Sequence, residues 1–171
     1  IASPNWMGRT QEFEALHLFD LLKYPEDYDL VFHWFSNGFS ILGLDQVTLH
    51  WRDHPIRTSK NSITYNQENL FELKLDWFNH LHPKSKSVAV LGAGKKGKLT
   101  ANFLLKRNRT IGWYDLNHEN FNTPIYKQDI KNYNLISEEL LLIAIYPKNR
   151  QSLEEFIMSK GFVMGKTAWY L

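Results

Sequence analysis

The hydrophobic pattern of this chain changes character near residue 82. Before that point, apolar residues recur every three or four positions, which predicts amphipathic helices. After it, short unbroken apolar runs alternate with helical patterns, which is typical of βαβ units in a parallel sheet. We therefore predict two domains, residues 1–81 and residues 87–171, joined by a polar linker at residues 82–86.

The first part is expected to hold helices and one short hairpin. Pro25 suits the first position of a helix, because its missing N–H needs no partner there. Asn37 and Gly38 supply the end of that helix. The expected elements are, in order, helix 10–23, helix 25–36, strands 39–44 and 47–51, and helix 67–81.

Asp27 is the first candidate for chemistry. It lies three, four and seven residues before Leu30, Val31 and Trp34, which with Phe35 form the apolar face of its helix. A carboxylate at the mouth of a buried face, kept ionised by the helix N-terminus, suits a general base. Acids also favour first turns for purely structural reasons, so the spacing alone leaves both interpretations open.

A loop rich in cationic side chains follows the predicted hairpin. Its candidate residues are Arg52, His54, Arg57 and Ser59, which fall within eight positions around a proline. A guanidinium group has the geometry to donate two parallel hydrogen bonds to the oxygens of a diphosphate. A solvated basic loop has the same composition, so this block is not decisive by itself.

Taken together, "PEDYDL" at residues 25–30 and "WRDHPIRTS" at residues 51–59 resemble the family 2 glycosyltransferases, inverting enzymes of the GT-A fold. The lead-in "ASPNWMGRT" is similar to the acceptor-side segment of that family. The resemblance implies that Asp27 deprotonates the acceptor hydroxyl with support from Glu26. It also implies that the departing donor diphosphate is steadied by Arg52, His54, Arg57 and Ser59.

The donor-binding half of that family, with its strand-end Asp-x-Asp metal motif, is not in this sequence. We therefore expect the chain to be the C-terminal piece of a longer protein and inactive in isolation. A divalent metal, Mg²⁺ or Mn²⁺, is implied for the whole enzyme, with His54 the candidate ligand here. The implied partners are a nucleotide-diphosphate sugar and a hydroxyl acceptor, in bacterial polysaccharide biosynthesis.

The second part is predicted to be a small Rossmann-like domain that begins with a strand and a glycine loop. The loop has the spacing G-x-G-x-x-G between a strand and a helix, where the helix N-terminus can face a phosphate. Asp115 closes the next strand, where an acid can accept hydrogen bonds from ribose hydroxyls. The candidate nucleotide-binding residues are Gly92, Gly94, Lys95, Lys96, Gly97 and Asp115.

The remaining elements of this part follow the same alternation. Strands are expected at residues 87–91, 110–115, 140–145 and 167–171, and helices at residues 98–107 and 149–160. The part is similar to the domain appended to some bacterial family 2 glycosyltransferases, and to the nucleotide-sugar-binding domain of certain sugar acyltransferases. It departs from the latter after Asp115, where no Lys- and Gly-containing turn follows. Glycines that serve only a tight turn are the alternative interpretation.

Composition narrows the possible functions. The net charge is only +2 and basic residues are interleaved with acids, which argues against a nucleic-acid partner. The chain has no cysteine, which excludes disulfides and fits a cytoplasmic location. Since no apolar run has the length of a membrane span, any membrane association is expected to be peripheral.

Three other hypotheses stand beside the glycosyltransferase. The second part alone could be a module that binds a nucleotide or nucleotide sugar and regulates the transferase without catalysis of its own. An oxidoreductase predicts a second glycine-rich half, which the sequence does not contain. An interaction domain predicts an exposed patch formed by Trp6, Trp34 and Trp51.

Overall fold

The computed structural model describes residues 7–15, 25–50, 62 and 65–171. The chain forms two compact units, Ile1–Leu81 and His82–Leu171. The helices described in the first unit are α1 (Thr10–Ala15), α2 (Glu26–Ser36) and α3 (Gln67–Leu81). The predicted continuation of α1 and the basic loop lie outside the described residues.

Both ends of α2 are determined by local chemistry. Pro25 is the N-cap and not the first helical residue, because its ψ of 119° is still extended. Its carbonyl accepts hydrogen bonds from the N–H groups of Tyr28 and Asp29. At the other end Gly38 has a φ of +75°, the left-handed conformation that closes a Schellman motif. The predicted end of the helix is therefore confirmed.

Helices α2 and α3 pack together through their apolar faces. Trp77 of α3 stacks on Phe32 of α2 with ring centroids 5.8 Å apart, and its Nε1 donates a 2.6 Å hydrogen bond to the carboxylate of Asp29. The side chains buried on the two helices, besides Asp27, are Leu30, Trp34, Leu73, Leu75 and Phe78. The helix predicted at residues 67–81 is thus confirmed, but its burial is not confined to one face, because Leu73 and Leu75 point to nearly opposite sides of it.

Two predictions for the first unit are wrong. Phe35 is 62% exposed, because the buried stripe of α2 is narrow and a side chain one position beyond Trp34 is rotated away from it. The hairpin does not form within residues 39–50, which have no regular secondary structure. Leu42 and Leu44 are exposed there, and a two-stranded hairpin without a packing partner is only marginally stable in water.

The second unit contains a five-stranded sheet in which every pairing is parallel. Its strands are β1 (Val88–Leu91), β2 (Ile111–Asp115), β3 (Ile130–Asn132), β4 (Leu140–Ile143) and β5 (Ala168–Tyr170). The strand order is β3-β2-β1-β4-β5. Helix α4 (Lys95–Lys106) follows β1, and helix α5 (Arg150–Ser159) follows β4. This topology is Rossmann-like, with its switch point between β1 and β4, and it confirms the predicted parallel α/β fold.

The central strands form because their side chains are buried on both faces of the sheet. All four residues of β1 and all four of β4 are buried, so each strand is an unbroken apolar run in the sequence. Ala89 and Leu91 pack with Leu153 and Ile157 of α5. Successive side chains of a strand point to opposite faces of the sheet. Val88 and the residues paired with it on the adjacent strands therefore lie on the face against which α4 packs.

Strand β3 was missed by the prediction. It lies at the edge of the sheet, and Ile130 is its only buried residue, so no apolar run marks it. The connection from β2 to β3 contains the 3₁₀ turn His118–Asn120. Helix α4 also begins earlier than predicted, at Lys95, because Gly94 is its N-cap. The glycine loop therefore forms the start of the helix itself.

Residues 82–86, predicted as a linker, belong to the second unit. The guanidinium of Arg109, which is only 2% exposed, holds this segment. It donates hydrogen bonds of 2.9, 3.0 and 3.2 Å to the carbonyl oxygens of His82, Pro83 and Lys86. The ring of His82 lies 4.7 Å from that of Trp169, next to β5. The segment is thus part of the folded unit.

Candidate functional sites

Asp27 lies in the first turn of α2 and is only 6% exposed. It shares the buried side of the helix with Leu30 and Trp34, which confirms the inward placement that the spacing predicted. Its Oδ1 accepts a 3.0 Å hydrogen bond from the N–H of Tyr28. Glu26, beside it in the chain, is exposed. The two neighbouring carboxylates therefore have different surroundings.

The electrostatics of Asp27 differ from the expectation. Burial, followed by the negative charge of Glu26, raises the pKa of the Asp27 carboxyl, and the hydrogen bond from the Tyr28 N–H opposes that rise. The helix N-terminus does not dominate, because desolvation of the charged form outweighs it. A carboxylate with a raised pKa accepts a proton more readily, which is the property a general base needs.

The hydroxyl of Tyr65 lies against both carboxylates. It is 3.3 Å from each carboxylate oxygen of Glu26 and 3.4 Å from Oδ1 of Asp27. Burial and the charges of Asp27 and Glu26 raise the pKa of Tyr65, so the hydroxyl keeps its proton and donates. The prediction missed this residue, because it lies 38 positions after Asp27 and belongs to no motif.

The third acid of this helix turn has another role. Asp29 accepts the hydrogen bond from Trp77, and its other oxygen lies 3.5 Å from Nε2 of His33. The His33 ring in turn contacts the edge of the Trp77 ring, with centroids 4.7 Å apart. Asp29 therefore joins α2 to α3 and is distinct from the pair formed by Glu26 and Asp27.

Several predicted residues of the first unit lie outside the described residues. These are Arg52, His54, Arg57 and Ser59 of the basic loop, together with Trp6 and Trp51. The proximity of the loop to Asp27 thus stays a prediction. Trp34 is described and is only 8% exposed, so it does not contribute to an exposed tryptophan patch.

In the second unit, two of the three fingerprint glycines are required by close packing. Gly92 has a φ of +116°, and a Cβ there would lie 2.5 Å from the Ile145 side chain. A Cβ at Gly97 would collide with the carbonyl oxygen of Gly92, so α4 can approach β1 this closely only with glycine. Gly94 faces open space. This close packing brings the N-terminus of α4 to the switch point of the sheet.

Asp115 lies at the end of β2 beside this loop. Its Oδ2 accepts a 2.7 Å hydrogen bond from the N–H of Ala93, and its Oδ1 accepts one of 2.9 Å from the N–H of Asn117. The glycine loop and the acid are therefore joined directly. Each carboxylate oxygen keeps further acceptor capacity, as a ribose hydroxyl would need.

The two lysines of the loop differ in their contacts. The Nζ of Lys96 donates to the hydroxyl of Tyr146 at 2.6 Å and to the carbonyl of Leu171 at 2.8 Å, and it lies 4.3 Å from the centre of the Tyr146 ring. Its charge is thus held at the ends of β4 and β5. Lys95 is exposed in the first turn of α4.

The described residues contain no group of three or more His, Cys, Asp or Glu side chains that could hold a metal ion. The candidate ligand His54 lies outside them, so the divalent metal implied by the resemblance stays a prediction. Within the same part of the chain, no helix is both long and apolar enough to cross a membrane.

The chain matches no family model, no curated protein and no solved structure. The class that the fold itself defines is the Rossmann-like α/β architecture of the second unit.

Proposed function

We propose that the first unit carries the acceptor-side part of an inverting glycosyltransferase of the GT-A type, with Asp27 as its general base. The observation that carries this proposal is the buried placement of the Asp27 carboxylate in the first turn of α2, with its pKa raised. A buried carboxylate with a raised pKa is suited to accept a proton from a hydroxyl group near neutral pH. Glu26 supports it through its negative charge.

The reaction is the transfer of a sugar from a nucleotide-diphosphate donor to a hydroxyl. The acceptor oxygen attacks the anomeric carbon from the side opposite the diphosphate, which gives inversion. As the new C–O bond forms, the bond to the diphosphate breaks, and the hydroxyl proton passes to the carboxylate of Asp27. The nucleoside diphosphate leaves with the electron pair of the broken bond.

The departing diphosphate needs positive charge as its own negative charge develops. By the resemblance, this charge comes from Arg52 and Arg57, with His54 and Ser59 as further hydrogen-bond donors. A guanidinium pair is suited to this role, because it binds phosphate oxygens in a fixed bidentate geometry. No step is assigned to a metal ion.

The test replaces Asp27 with asparagine in the full-length enzyme. The measurement is the release of nucleoside diphosphate from a panel of UDP-, GDP- and dTDP-sugars in the presence of a hydroxyl acceptor. We expect Asp27→Asn to lower kcat by about 10²- to 10⁴-fold, because the amide cannot take the proton. Residues 1–171 alone are expected to transfer no sugar, because no segment of this sequence resembles the donor-binding half of the family 2 glycosyltransferases.

The matched control is Glu68→Gln, an exposed acid in the first turn of α3. It should leave the rate unchanged, since its carboxylate lies in another helix turn. A fully active Asp27→Asn enzyme would exclude Asp27 as the base and with it the proposal.

A second function is favoured by one observation on the second unit. The glycine loop lies at the switch point between β1 and β4, with Asp115 hydrogen-bonded to it. Ligands of open α/β sheets bind at this position. We propose that this unit binds a nucleotide or nucleotide sugar as a regulatory module.

Calorimetric titration of the chain with UDP-sugars, NAD and ATP tests the second proposal. We expect heat of binding with at least one of the three, and weaker binding in the Asp115→Asn variant, which loses one negative acceptor for the ribose hydroxyls. If none of the three produces heat, the loop is only a packing device.

A further inference from the structure

The hydroxyl of Tyr65 meets more acceptors than it can satisfy at once. Three carboxylate oxygens, two of Glu26 and one of Asp27, lie within 3.3–3.4 Å of it. A phenolic hydroxyl has one hydrogen to donate. These distances are longer than the usual O–H···O separation, as expected for a proton shared among several acceptors. The hydroxyl is therefore a common donor to the pair and not the partner of one acid.

The two oxygens of Asp27 are engaged unequally. Oδ1 receives both the N–H of Tyr28 at 3.0 Å and the hydroxyl of Tyr65 at 3.4 Å. Both of these hydrogen bonds from described residues are made to Oδ1. The protein donors thus fix one oxygen, and the carboxylate plane with it, while the other oxygen keeps its acceptor capacity.

We propose that Tyr65 is a positioning residue for the general base, whose shared hydroxyl fixes Oδ1 of Asp27 so that Oδ2 receives the proton of the acceptor hydroxyl. This inference rests on the proposed glycosyltransferase function of the first unit. Tyr65 does not itself take or give the proton. It holds the base in orientation and stabilises the charged form of the carboxylates before the reaction.

The charged surroundings are consistent with this role. From α2, the ionisable group that faces Asp27 is Glu26, whose charge opposes ionisation. From the segment before α3, it is Tyr65, which remains a neutral donor. The next acid, Asp29, is directed to Trp77 and His33. Among the described residues, Tyr65 is thus the side chain whose hydroxyl lies within 3.4 Å of both carboxylates.

A purely structural role makes a different prediction. Tyr65 lies just before the first residue of α3, so its ring could serve only to anchor that helix. Tyr65→Phe keeps the ring and removes the hydroxyl. An anchor would tolerate this change without any effect on the titration of Asp27. A positioning donor would not, because loss of a hydrogen bond to the charged form raises the pKa of a carboxyl.

The experiment has two measurements on Tyr65→Phe. In residues 1–171, the carboxyl carbon resonance of Asp27 is titrated by NMR, and its pKa should move to a higher pH than in the unaltered chain. In the full-length enzyme, the acidic limb of kcat/KM should move in the same direction, since that limb reports the base of the free enzyme. At pH values on that limb, kcat/KM should fall about two- to tenfold.

The control is Tyr126→Phe, a half-exposed tyrosine of the second unit, which should leave both titrations unchanged. Circular dichroism confirms that each variant is folded. If the pKa of Asp27 in Tyr65→Phe equals that in the unaltered chain, the inference is overturned, even if the rate of sugar transfer changes. Full activity of Asp27→Asn overturns instead the glycosyltransferase proposal, so the two failures are distinguished.

Discussion

At the residue scale, Gly97 shows how a missing side chain sets the distance between a helix and a strand. Its Cα faces the carbonyl of Gly92, and that carbonyl also accepts a 2.8 Å hydrogen bond from Nε1 of Trp113. The oxygen cannot retreat without breaking this buried bond. The first turn of α4 therefore depends on glycine for close packing, whether or not a phosphate binds there.

Gly97→Ala should destabilise the second unit by about 1–3 kcal/mol or more, because the new methyl group must displace backbone and not a flexible side chain. The measurement is the hydrogen-exchange protection of β1 amides in the whole chain. Gly94→Ser is the matched control, since Gly94 faces open space at an N-cap where serine is favoured. Equal losses in the two variants would contradict this account of the loop.

At the element scale, the sequence predicts those elements whose burial is complete. Strands β1 and β4 are buried on both faces, so their apolar runs are continuous and easily recognised. Strand β3 has one buried residue and, among the described strands, pairs with β2 alone, and nothing local distinguishes it from a loop. Residues 39–50 show the opposite case. Their apolar residues alternate as in a strand, but the segment has no regular secondary structure.

The candidate sites show the same limit. Periodicity placed Asp27 on the buried face of α2, because the relation between its neighbours and that face is local. It could not reveal Tyr65, whose contact with Glu26 and Asp27 exists only once α2 and α3 are packed. Nor could it give the direction of the Asp27 pKa, which depends on how much water the packed helices exclude.

At the scale of the whole molecule, the two units carry groups with opposite responses to pH. Burial raises the pKa of Asp27, so its contribution to the stability of the first unit is full below about 3.8 and is lost as the pH rises through the folded value. The pKa of His82 in the second unit is lowered instead, first by burial and then by the charges of Arg109 and Lys86.

The sign for His82 follows first from its burial and then from the positive charges beside it. Its carbonyl accepts a hydrogen bond from the buried Arg109, so a second positive charge on the ring would lie next to a guanidinium that cannot move away. The unfolded chain therefore binds a proton at a higher pH than the folded unit. The contribution of His82 is full above the ordinary pKa of 6.5 and is lost as the pH falls through the folded value.

His82→Gln should therefore flatten the loss of stability of the second unit as the pH falls below about 6.5. The measurement is the protection of β1 and β4 amides in the whole chain, corrected for intrinsic exchange, and only the pH slopes are compared. His50→Gln, at an exposed position of the first unit, should leave the slope unchanged. If His82→Gln retains the slope of the unaltered chain, protonation of His82 does not destabilise the segment that Arg109 holds.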